Sequence, residues 1–171
     1  MIVELFSRAP SVSVVRTCVR KQLSHQVMKR SPEPARLWVV CAGRPTGAID
    51  QFSLRRRAFW PRGTYEGPPG MRLSLVVVTE LPRTRATLLL RLLGRGAALI
   101  RALEDLEALP GDAPEVLLAE GAVDLIRRTV LTGRDRLGLD SAKAKELVMS
   151  RRLGEKILEQ GRKQGIETGL R

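Results

Sequence analysis

Residues 73–110, LSLVVVTELPRTRATLLLRLLGRGAALIRALEDLEALP, join a short β-branched run to two leucine-rich segments. LSLVVVT at 73–79 is apolar on both faces, as a strand buried inside an α/β sheet is. Leu81-Pro82 leads out of it, and Thr84 is placed to cap a helix over residues 85–93 that Gly94 or Gly96 ends. A second helix is expected over residues 97–109, with Leu99, Leu103 and Leu106 on one side and Glu104, Asp105 and Glu107 on the other. Pro110 stops it.

Upstream, LWVVCA at 37–42 reads as a second buried strand, ended by Gly43-Arg44-Pro45. Ser31-Pro32-Glu33-Pro34 breaks whatever precedes it. Between the two strands, residues 46–71 are rich in Gly, Pro and Arg and show no sustained period. A long ordered loop with at most a short helix or a hairpin is expected there. Residues 11–19 partly alternate like a strand, while 15–28 also fit a helix with polar faces. Two strands alone make a marginal sheet, so either the N-terminal region adds strands or a partner completes it. The expected fold class is α/β, a small sheet with packed helices and a helical C-terminal tail. It divides into a basic segment at 1–36, an α/β core at 37–110 and a helical region at 111–171. Gly161, Gly165 and Gly169 repeat every four residues in that last segment. They fit either a frayed polar tail or a close helix contact between two copies of the chain.

Charge narrows the partners. The chain holds 30 Lys and Arg against 18 Asp and Glu, and residues 1–72 carry 13 of those cations but only 4 of the acids. Such a field draws polyanions, of which nucleic acid is the commonest inside a cell. The competing reading is a solvated arginine-rich surface, since Arg outnumbers Lys along the whole chain. The densest cluster is Arg55, Arg56 and Arg57 followed by Phe59, Trp60 and Arg62, a mixture of charge and aromatic faces found in single-strand binders. Trp60, before Pro61, equally suits the anchor of a loop. Arg91, Arg95 and Arg101 interrupt the most hydrophobic segment, so no membrane span is expected. Two cysteines, Cys18 and Cys41, support no disulfide framework and fit a reducing cytoplasm.

Between residues 37 and 110 the chain resembles the C-terminal half of bacterial recombination-promoting nucleases (Rpn), a transposase-like branch of the PD-(D/E)XK nuclease superfamily. The series Glu80-Leu81-Pro82, Thr84, Thr87-Leu88, Leu90-Arg91-Leu92-Leu93-Gly94, Gly96, Ala102 and residues 106–110 carries the resemblance, together with the glycine-repeat tail. The resemblance implies a restriction-endonuclease-like core, DNA as substrate and magnesium-dependent phosphodiester cleavage.

That chemistry needs clustered carboxylates to hold a hard cation and a nearby lysine to stabilise charge. Glu4, Glu33, Asp50, Glu66 and Glu80 all lack a lysine two positions on, and the lysines after residue 140 lie in helical sequence. Only Glu4 and Glu33 precede the strand at 37–42, where the family's catalytic strands would lie. The expectation is a truncated or replaced nuclease core with no catalytic residue, no metal ligand and no cofactor; magnesium would belong only to an intact family site. His25, the single histidine, reads as a surface residue, and three scattered Cys and His fall short of a zinc site. Gly43 and Gly47 lead to Ala48-Ile49, without the lysine and hydroxyl of a phosphate loop. Arg55, Arg56, Arg57 and Arg62 are left as candidate DNA contacts, and Gly161, Gly165 and Gly169 as candidate contacts in a homo-oligomer.

Overall fold

The computed structural model describes residues 1–131 apart from Ser31 and Pro34, together with Glu146, Ser150 and Glu155. It is α/β, and the chain divides into two compact units, Met1–Pro82 and Arg83–Arg171. Gly161, Gly165 and Gly169 lie outside the described residues.

The first unit is a five-stranded mixed sheet in the order β1-β2-β5-β4-β3. β1 (Ile2–Phe6), β2 (Leu37–Cys41) and β5 (Leu73–Val77) are parallel, and β3 (Arg55–Arg56) and β4 (Thr64–Glu66) complete the sheet antiparallel. The two strands expected from sequence are thus adjacent inner strands. The N-terminal segment supplies the missing neighbour, and residues 46–71 hold both a short helix, α2 (Thr46–Gln51), and the β3–β4 hairpin.

Helix α1 (Val12–Lys29) connects β1 to β2. The Ser11 hydroxyl caps it by accepting from the Val14 N–H, and Arg30 closes it in the left-handed conformation. The helical reading of residues 15–28 therefore holds, and the strand reading of 11–19 does not. Capping and burial of Val15, Cys18 and Gln22 at helical spacing against the sheet outweigh the local alternation. Leu37, Val39, Cys41, Leu73, Leu75 and Val77 meet that stripe from the strands. The opposite sheet face carries a smaller cluster, Val40, Val76, Val78 and Leu81, with Trp38 beside it.

In the second unit a 3-10 turn at Arg85–Thr87 runs into α3 (Leu88–Arg91). Then come α4 (Gly96–Ala108), α5 (Pro114–Leu118) and α6 (Glu120–Leu131). Leu88, Leu92, Leu99, Leu103, Leu106, Val116, Val123 and Ile126 form its core. Each such side chain contributes about 1.5–3 kcal/mol on burial.

One expectation changes here. Thr84 makes no side-chain cap, because its hydroxyl meets the Thr87 hydroxyl at 3.2 Å while its carbonyl accepts from Thr87 and from Arg91. The start of the helix tightens accordingly to a 3-10 turn. Asp105 pairs with Arg91 at 2.7 Å and with Arg83 at 2.6 Å, and the Arg91 side chain is only 6% exposed.

Candidate nucleic-acid interface

Because β2 and β5 are parallel and in register, the residues that precede them emerge side by side. Those residues are Arg36 and Arg72. The Leu37 N–H donates to the Arg72 carbonyl at 2.9 Å and sets the spacing. From beneath, the buried Gln22 amide donates to the carbonyls of Ala35 at 2.6 Å and Met71 at 3.1 Å. A single helix residue thus fixes both arginine-bearing segments, and a buried amide so placed has its donors satisfied.

The turn from β4 to β5, Gly67-Pro68-Pro69-Gly70, projects beside them and ends with Arg72 at φ 48°, a left-handed conformation unusual for a residue with a side chain. Two clefts of about 510 and 360 Å³ flank the turn and share Glu66, Gly67, Pro68 and Pro69. Arg36 and Arg72 line the first, and Arg55, Arg56 and Arg57 the second.

Five guanidinium groups therefore surround one turn, against two carboxylates. Glu66 lies 2.9 Å from Arg36 and 3.3 Å from Arg57, and Glu33 pairs with Arg72. Among the described residues no carboxylate pairs with Arg55 or Arg56. Arg72 Nε is buried without a hydrogen-bond partner. Such a donor set, with its fixed fork geometry, suits phosphate oxygens.

Beside the clefts, strand register places Trp38, Ser74, Glu66 and Arg55 in one row on one face of the sheet. The Trp60 ring packs on Trp38 with centroids 5.3 Å apart, and the Arg57 guanidinium lies 5.3 Å from the Trp60 centroid. Trp60 is therefore the anchor of its loop, while Phe59 next to it is fully exposed.

Of the four arginines named from sequence, Arg55, Arg56 and Arg57 share one cleft. Arg62 is not in that cleft, and its charge acts on Glu80. Arg36 and Arg72 were missed. Their only trace in the sequence is that each forms an Arg-Leu pair opening a buried strand.

A second polar cluster occupies the opposite ends of the strands. Tyr65 donates to Glu80 Oε2 at 2.6 Å, and Arg44 donates to Glu80 Oε1 at 2.7 Å and to the Tyr65 oxygen at 2.5 Å. Burial alone would raise the Glu80 carboxyl. Hydrogen bonds from Tyr65 and Arg44, with the charges of Arg44 and Arg62, outweigh it and hold Glu80 below its usual range. Burial, and then the charge of Glu80, pushes the nearby Cys41 thiol up to about 12. These groups satisfy one another, and with Cys41 held as a thiol the cluster offers no nucleophile.

His25 is exposed on α1. Among the described residues no three His, Cys, Asp or Glu side chains converge as a metal centre requires, and no helix is long and apolar enough to cross a membrane. Comparison with protein-family models, curated proteins and solved structures finds no match to the chain.

Proposed function

We propose that this protein is a nucleic-acid-binding scaffold of recombination-promoting-nuclease ancestry, which grips DNA through the arginine clefts of its first unit and does not itself cut it. The observation that carries the reading is the convergence of Arg36, Arg55, Arg56, Arg57 and Arg72 on one projecting turn. The non-cleaving half rests on the strands. Their acids are Glu4 and Glu66, each already paired with a cation, and neither has a lysine two positions on. We assign the work to the cytoplasm, where two free buried cysteines are at home.

Anisotropy of a labelled oligonucleotide titrated with the protein tests the binding half. Five phosphate contacts give a slope of about −3.5 in log affinity against log salt for a single strand, or about a hundredfold loss between roughly 50 and 200 mM. Absent or salt-insensitive binding at low salt overturns it. Plasmid nicking with magnesium that a chelator abolishes overturns the non-cleaving half.

A further inference from the structure

Phe59 is 100% exposed, and burial can give the fold nothing for it. Its backbone is nonetheless held. The Trp60 N–H donates to the Arg57 carbonyl at 3.2 Å, and the Thr64 N–H to the Pro61 carbonyl at 3.2 Å, so Phe59 sits inside one short turn and a second follows it. Trp60 has Trp38 and the Arg57 guanidinium against its ring. Trp60 keeps 40% of its surface open but its ring is engaged, whereas the ring of Phe59 is wholly free.

An apolar pocket on a protein partner would seat such a ring best if the ring stood in an apolar collar. Its neighbours along the chain are charged instead: Phe59 follows Arg55, Arg56 and Arg57, which line one cleft, and precedes Arg62. Cations for phosphates around one ring for a base is the arrangement that holds an unpaired strand, because every base has a π-face once it leaves the duplex stack. In a duplex those faces are already covered by neighbouring pairs.

We infer that Phe59 stacks on an unpaired base, so that the ligand of the arginine clefts is single-stranded nucleic acid. The inference rests on the cleft reading above and adds the strand state of the ligand.

The test compares oligothymidine with a hairpin duplex of similar charge, by anisotropy, for the parent protein, Phe59→Ala and Phe59→Trp. The parent should prefer the single strand. Phe59→Ala should weaken single-strand binding by about five- to a hundredfold and leave duplex binding unchanged. Phe59→Trp should retain the affinity, and its new indole should be quenched by oligothymidine. If Phe59→Ala leaves single-strand affinity unchanged, or lowers duplex affinity equally, the stacking role is wrong while the clefts stand. If the parent binds neither probe, the cleft reading falls with it.

Discussion

Arg36 Nη1 lies 2.9 Å from Glu66 Oε1, so the carboxylate neutralises a cation that the proposed function gives to a phosphate. On that proposal an incoming strand would have to displace it or share the cation. Glu66→Gln should therefore raise affinity for oligonucleotides several-fold at fixed salt. Its stability cost should stay within about 1 kcal/mol, because both partners are part-exposed. Unchanged or weaker binding by anisotropy would place the ligand elsewhere.

Arg55 and Arg56 sit on an edge strand of two residues with exposed side chains, so their removal should not disturb the core. The double variant Arg55→Ala, Arg56→Ala should flatten the salt dependence for a single strand by about 1.4, equally for every sequence tried. A slope that does not move would remove these residues from the interface.

Gln22→Leu keeps the volume and deletes two buried donors. The carbonyls of Ala35 and Met71 would then lack them, at about 1–3 kcal/mol. We expect a lower Tm in calorimetry together with weaker oligonucleotide binding, since the segments bearing Arg36 and Arg72 lose their common anchor.

In the second unit, Asp105→Asn leaves the guanidinium of Arg91 buried without its carboxylate. The cost should be about 3 kcal/mol, the low end for a broken buried pair because Asp105 keeps some solvent. Acid should reproduce part of this. Burial tends to raise the Asp105 carboxyl, but hydrogen bonds from Arg83 and Arg91 lower it below its ordinary 3.8. A folded value below the unfolded one means that the contribution is whole above about pH 4 and is lost as pH falls through the folded value. Denaturant midpoints followed from neutral to acid pH should drop in the parent over that range, and drop less in Asp105→Asn.

Gly63 has φ 88°, and an added Cβ would stand 2.8 Å from the Val77 carbonyl oxygen. Gly63→Ala should cost at least about 2 kcal/mol, read as a shift in urea midpoint.

Sequence patterning marked what is locally dense. β2 and β5 were legible because both of their faces are apolar, and α4 because Leu99, Leu103 and Leu106 recur at helical spacing. β3 and β4 were not, since strands of two and three residues are too short to show a period. α1 was ambiguous because one member of its buried stripe, Gln22, is polar for a tertiary reason. The arginine clefts were half legible. Arg55, Arg56 and Arg57 are neighbours in the chain, whereas Arg36 and Arg72 become neighbours only through parallel pairing, which composition does not encode.

Cys18 faces the sheet from α1, and Cys41 ends β2. Both are buried, and burial raises both thiols, with the charge of Glu4 adding at Cys18 and that of Glu80 at Cys41. Only a thiolate attacks a disulfide reagent, so the native first unit should be silent to one. Labelling then proceeds only in the moments when helix and sheet part. The rate at which an aromatic disulfide turns yellow in the presence of this protein is thus a clock for how frequently its first unit breathes.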